Sequence, residues 1–229
     1  MTASLLKRAV AEGVGTALLL AAVVGSGVMA ARLANGDAAL ALLANAIATG
    51  GALVALIVTF APISGAHFNP LVTLVLAPRN NNGETHAVLA YIAAQAIGAV
   101  GGVLLAHAMF GLPILEWSSH VRATQGEWLG EFVATFGLIG LIMSGVRHCP
   151  AALPYAVAAY VVAAYWFTSS TSFANPAVAL ARALTDTFAG IRPQDVPAFV
   201  VAEFAGAGAA TLLFGWLMGR EPANNSGQM

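Results

Sequence analysis

Two asparagine–proline pairs, Asn69-Pro70 and Asn175-Pro176, are the residues whose type and placement suggest chemistry. Asparagine is a favoured helix N-cap and proline is favoured at the first helical position. Each pair opens a short apolar stretch, roughly 69–78 and 175–185. A loop of mainly small residues precedes each, 63–68 and 169–174. As a cap, the Asn side-chain oxygen accepts from its own helix's N–H groups, which leaves the NH2 free to donate into a lumen. A helix N-terminus carries about +0.5 of an elementary charge, so two such ends facing each other oppose cations. An oxygen that accepts from both Asn donors has its own hydrogens turned outward, which interrupts a hydrogen-bonded proton wire. A single Asn-Pro marks an ordinary turn. It is the recurrence at matched places that points to a pore.

The elements that position these pairs follow from the composition. Of 229 residues, 59% are hydrophobic and 8% charged, with a net charge of -1. A soluble domain carries about 25% charged residues, so lipid is the natural solvent of this chain. The net charge offers no basic footprint for nucleic acid. The single cysteine, Cys149, excludes a disulfide framework or a Cys-rich metal site. A spanning helix needs about 20 mainly apolar residues. Stretches at roughly 9–31, 38–61, 87–111, 127–147, 152–168 and 196–218 qualify, and the two Asn-Pro stretches are too short. The first is too long for a secretory signal core, carries Glu12 and is followed by similar runs, so it reads as a retained span.

The order span, span, short piece, span occurs twice. Glu12 with Thr16 in the first span matches Glu131 with Thr135 in the fourth. With three spans per half, the halves run in opposite orientations, an inverted repeat whose discontinuous helices meet at the midplane. The expectation is an all-α membrane protein with six transmembrane helices plus two half-helices. It forms one transmembrane domain over 1–229, with repeats of approximately 1–115 and 116–229. With the N-terminus inside, Lys7, Arg8, Arg79, Arg147 and Arg220 fall on the inner side and Arg32, Arg122, Arg182 and Arg192 on the outer. That is a slight excess in favour of a cytoplasmic N-terminus.

Other residues bear two readings each. Carboxylates within spans, Glu12, Glu131 and Glu203, are functional candidates by default, and a proton relay is conceivable; Glu203 has no evident repeat partner. His67 either modulates one mouth with pH or hydrogen-bonds to its own loop. Arg182 shares a helix face with Asn175 and Val178 by its spacing. It either faces an outer vestibule and repels cations, or snorkels to headgroups or pairs with Asp186. The histidines are scattered and suggest no metal site. The Gly-rich stretches 98–102 and 206–208 suit close helix packing, not phosphate binding, and no cofactor is implied.

Ser64-Gly65-Ala66-His67-Phe68-Asn69-Pro70 and Phe173-Ala174-Asn175-Pro176-Ala177 resemble the two signatures of the aquaporin (major intrinsic protein) family. The segment 91–99 resembles that family's third helix, and Glu12 and Glu131 its paired glutamates. The resemblance covers nearly the whole chain. It implies a homotetramer with one pore per subunit, passive permeation of water or small neutral solutes, and Glu12 and Glu131 bracing the half-helix loops. This chain has Leu71 where the family usually has Ala, and Val178 where it usually has Arg. By family spacing the filter falls on Thr49, Ala163, Ser172 and Val178. That set has no aromatic ring and no charge, so a wide, mostly apolar constriction is expected.

An Arg-free second signature resembles a bacterial branch associated with arsenic resistance. The implied activity is therefore a passive channel of the bacterial inner membrane. Its expected permeants are glycerol-like polyols, water, and neutral metalloid hydroxides such as arsenite and methylated arsenicals. Rival readings are a strict water channel and an ion-coupled transporter with broken helices. An enzyme finds no support, since no nucleophile–base pair or clustered metal ligands lie near the midplane.

Overall fold

The computed structural model describes residues 3–77 and 85–219. Eight α-helices follow in order: α1 Leu5–Leu33, α2 Ala38–Ser64, α3 Pro70–Leu76, α4 Thr85–Phe110, α5 Gln125–His148, α6 Leu153–Phe167, α7 Pro176–Arg182 and α8 Val196–Leu217. Six segments are long and apolar enough to cross a membrane: α1, α2, α4, α5, α6 with its preceding turn, and α8 with its preceding turn. The two remaining helices, α3 and α7, have 7 residues each. The expected spans all occur, with ends shifted by at most four residues. Arg79 and Arg220, which entered the orientation argument, lie outside the described residues.

Local chemistry explains the ends. Asp37 caps α2 by accepting from Ala39 and Leu40 N–H, and Thr124 with Glu127 forms a reciprocal capping box at α5. The outward faces stay apolar, with Ile97, Leu212, Val201 and Trp216 exposed, because their solvent is hydrocarbon.

Between helices in lipid, association rests on close van der Waals contact rather than water exclusion. The α1–α4 and α5–α8 pairs are packed through glycines. In the first, Gly98 and Gly102 lie against the backbone carbonyls of Gly13 and Ala17, and in the second Gly206 lies against that of Phe132. A Cβ at any of these would collide with backbone. Gly101 and Gly208 face open space, so only part of each glycine stretch serves packing.

α3 and α7 enter the bundle from loops 65–69 and 168–175 and touch each other through their starts. The two loops share an unusual backbone pattern. Ala66 and Phe68 have φ of 51° and 49°, and Ser172 and Ala174 have 53° and 49°. These are the positions three and one before each asparagine. Non-glycine residues rarely adopt this left-handed region, and do so where surrounding structure compels it. The repetition at equivalent positions reflects the same loop built twice.

Candidate functional site

The two asparagines meet at the centre. Asn69 Oδ1 accepts from Leu71 N–H at 2.9 Å, and Asn175 Oδ1 accepts from Ala177 and Val178 N–H at 3.1 and 3.4 Å. Both are the N-caps the sequence implied. Their NH2 groups are not wholly free, however. Asn69 Nδ2 donates to the Ala174 carbonyl at 2.7 Å and Asn175 Nδ2 donates to the Phe68 carbonyl at 2.8 Å. Each asparagine clasps the opposite loop with one hydrogen. An amide NH2 has two donors, so one per asparagine remains for the lumen.

Two buried carboxylates hold the loops. Glu12 accepts from His67 N–H at 3.0 Å, Phe68 N–H at 2.7 Å, the Ser64 hydroxyl at 2.6 Å and Gln95 Nε2 at 2.9 Å. Glu131 accepts from Phe173 and Ala174 N–H at 2.8 and 2.7 Å. Successive N–H groups converging on one carboxylate explain how the strained loop backbone is maintained. Leu71 is 1% exposed and sits in the core cluster, a packing residue that leaves Asn69 in place. His67 lines the lumen, with Nδ1 3.1 Å from the Thr73 hydroxyl and its ring edge-on to Tyr91.

A lumen runs past both asparagines. Most of its wall is aliphatic: Leu19, Val23, Leu53, Ile57 and Val72 on one side, and Leu138, Ile142, Val157 and Val161 on the other. No aspartate or glutamate lines it among the described residues. Of the expected filter residues, Thr49, Ser172 and Val178 line this lumen. The Ser172 hydroxyl is buried without a partner.

Ala163 does not line it and is exposed on the outer face of α6. Tyr165 takes that place, with its hydroxyl 3.3 Å from Thr49 Oγ1. Two residues along a helix turn the side chain by roughly 200°, so the shift from 163 to 165 exchanges the lipid side for the lumen side. The expectation of a wall with no ring is thereby corrected. Replacing Tyr165 by alanine should raise glycerol permeability about threefold or more relative to water. Ala163→Phe should leave that ratio unchanged. Stopped-flow light scattering on reconstituted vesicles reads both. A ratio that follows position 163 instead would return the filter to the original assignment.

Of the two readings of Arg182, the structure agrees with the one that turns it toward the lumen. Arg182 is 2% exposed and lines the lumen. Its Nε donates to the Ala189 carbonyl, and its guanidinium lies 3.4 Å from the Phe173 ring centroid. Arg122 meets the same ring, its guanidinium 5.1 Å from the centroid, and donates to the Gly190 and Ser170 carbonyls at 2.9 and 3.1 Å. Arg182 neither snorkels nor pairs with Asp186. Asp186 instead accepts from the Ser119 N–H and hydroxyl at 2.8 and 2.9 Å, which holds its carboxyl below the usual aspartate range. A depressed carboxylate contributes stability above its unfolded-state pKa and loses it as pH falls through the folded value. That loop contact should therefore weaken only in acid.

Glu203, unassigned from sequence, lies outside the lumen wall and backs the second loop. Fully buried on α8, it accepts from Asn175 N–H at 3.0 Å. Gln95 occupies the matching place in the first half, beside Glu12. The signal was weakly present in the sequence: Gln95 lies 26 residues after Asn69 (69 to 95) and Glu203 lies 28 after Asn175 (175 to 203). Cys149 caps the C-terminus of α5, is exposed and is not in the lumen wall.

Comparison with known proteins agrees with this geometry. The Major intrinsic protein family model matches residues 1–151. Aquaglyceroporin AqpS of Rhizobium meliloti (strain 1021) is 54% identical over 157 residues, covering 69% of this chain and 67% of that protein. The propanediol uptake facilitator PduF of Citrobacter freundii is 30% identical over 210 residues, covering 72% of this chain and 76% of that one. Among solved structures, the aquaglyceroporin from Plasmodium falciparum superposes with a TM-score of 0.68 over 93% of this chain and 95% of its own, at 21% identity, a likeness of fold. With six apolar spans and two half-helices joined at paired asparagines, this integral membrane protein belongs to the major intrinsic protein family.

Proposed function

We propose that the chain is a passive channel for small uncharged hydroxylated solutes: water, glycerol-like polyols, and neutral metalloid hydroxides such as arsenite and methylated arsenicals. The observation that carries this reading is the lumen wall. Its aliphatic surface is interrupted by a few hydrogen-bonding groups and by no carboxylate. A polyol or a hydroxide of similar build presents carbon or a metalloid to the aliphatic side and oxygens to the polar line of Asn69, Asn175, Ser172, Thr49 and Tyr165. A metal cation meets Arg182 and no compensating acid. Relatives named as aquaglyceroporin and propanediol facilitator support a polyol-sized permeant.

Val178 is the residue at which this reading stands or falls. An arginine there would bring a second guanidinium into the lumen beside Arg182 and narrow the passage. Val178→Arg should lower glycerol, arsenite and methylarsenite permeability about tenfold while reducing water permeability far less. Stopped-flow swelling of vesicles holding purified protein measures each solute separately. Unaltered selectivity would remove Val178 from the filter. Flux linear in gradient and indifferent to ionophores separates the channel from an ion-coupled carrier.

Tyr165 and Arg182 in the wall favour a second reading, a strict water channel, and the wild-type glycerol-to-water ratio decides between the two. Further parts of the proposal are a homotetramer in the bacterial inner membrane, each subunit with its own pore, and a cytoplasmic N-terminus. The two sequence halves, approximately 1–115 and 116–229, act as inverted repeats in this scheme.

A further inference from the structure

We propose that Glu203 is a positioning residue for Asn175, acting as a protonated carboxylic acid that bridges the Asn175 backbone N–H and the Glu131 carboxylate. The two pore loops are built alike except at this point. In the first half, Glu12 holds two loop N–H groups and is itself met by the amide donor of Gln95 at 2.9 Å. In the second half, Glu131 holds two loop N–H groups, and the side chain from the equivalent place is a second carboxyl, Glu203. The Glu131 and Glu203 carboxyls are both fully buried and hold the N–H groups of the consecutive residues Phe173, Ala174 and Asn175, which sets them beside one another. Glu203 Oε2 nonetheless reaches no N–H or O–H group. A hydrogen bond between two carboxyls exists only if one carries a proton, because ionised carboxylates only accept.

The placement of that proton follows from the donors. Glu131 receives Phe173 N–H on Oε1 and Ala174 N–H on Oε2, so both of its oxygens already accept. Glu203 receives only Asn175 N–H, on Oε1. The proton therefore belongs on Oε2 of Glu203, which then donates to Glu131 as Gln95 does to Glu12. Two uncompensated carboxylates in contact inside a bundle would repel strongly. The charged groups within reach are Arg122 of the outer loop and Arg182 of α7, with Tyr165 of α6 beside them. Both guanidiniums are already committed to backbone carbonyls and the Phe173 ring. The half-helix α3, which packs on both α5 and α8, carries no titratable side chain, and α8 carries none besides Glu203.

The consequence is functional because Asn175 donates into the pore. With its N–H held by Glu203, the asparagine keeps the backbone angle that caps α7 and reaches Phe68. Three consecutive N–H groups, of Phe173, Ala174 and Asn175, are then satisfied by one ionised and one protonated carboxyl.

Three measurements on purified full-length protein in vesicles test this. Infrared spectroscopy at neutral pH should show a carboxylic-acid C=O band, sensitive to deuteration, that disappears in Glu203→Gln. Glu203→Gln recreates the Gln95 arrangement and should keep water and glycerol permeability within twofold of wild type. Glu203→Leu, which leaves Asn175 N–H without an acceptor, should lose at least fivefold in permeability or fail to assemble. Absence of the acid band from wild type would overturn the proposal. So would a band that persists in Glu203→Gln, a Gln variant as impaired as the Leu variant, or a Leu variant with full permeability.

Discussion

Arg182→Ala is expected to raise the permeability of the channel to small monovalent cations by about tenfold or more. Arg182 is the ionised side chain of the lumen wall, and it has no carboxylate partner among the described residues. Two unit charges about 6 Å apart at an effective dielectric constant of about 20 interact by roughly 3 kcal/mol. That corresponds to about a hundredfold barrier, and water in the lumen lowers it toward tenfold. Removing the charge also opens volume beside Val178, so glycerol permeability should rise as well. Arg182→Lys keeps the charge as a point ammonium and loses the planar contact with Phe173. It should exclude cations while altering solute ratios. Conductance in voltage-clamped bilayers reads the cation leak and vesicle swelling reads the solutes. If Arg182→Ala leaves both as they were, the guanidinium has no part in selection and serves only to tie α7 to the Ala189 loop.

Glu12→Leu should produce the largest loss of stability of any single substitution at the site. It strands four buried donors at once: the N–H groups of His67 and Phe68, the Ser64 hydroxyl and the Gln95 amide. An unsatisfied buried donor costs about 1–3 kcal/mol, so the loss is of the order of 4 kcal/mol or more. The left-handed residues Ala66 and Phe68 would relax once nothing holds their loop. Glu131→Leu strands the N–H groups of Phe173 and Ala174 and should cost somewhat less. Glu12→Gln retains one accepting oxygen and should fall between wild type and Glu12→Leu. Thermal unfolding in detergent, followed by intrinsic fluorescence and by retention of the folded species on size exclusion, gives the order. Equal stability of wild type and Glu12→Leu would mean that the loops stand without the carboxylate. A proton relay would remain the role to test for it.

These two residues also show how unevenly the sequence spoke. Glu12 could be paired with Glu131 by reading alone, because an inverted repeat keeps chemically identical residues at identical places. Glu203 could not, because its counterpart is Gln95 and the match is one of position rather than of residue type. The Asn-Pro pairs were legible for a local reason. Capping is a contact between residues two or three apart, so residue type and order suffice to predict it. The clasp of each asparagine on the opposite loop joins residues more than a hundred positions apart, and no local pattern encodes it.

The filter divides the same way. Thr49, Ser172 and Val178 fall in the lumen wall as their spacing from the asparagines suggested, because that spacing runs through a continuous helix or a short loop. Tyr165 was missed because the loop 168–175, longer than the loop before Asn69, separates α6 from the Asn175 anchor, and two residues of phase reverse a helix face. The sequence by itself determined six spans, two half-helices, the paired asparagine caps that open them and the valine after the second Asn-Pro-Ala. The tertiary structure decided what stands around that valine. It turned Arg182 inward onto Phe173 and Ala189, put the Tyr165 ring in the wall, and set Glu203 against Glu131. Those outcomes depend on which loops and helix faces meet across the bundle. Long-range packing fixes them, and neither residue type nor period carries that information.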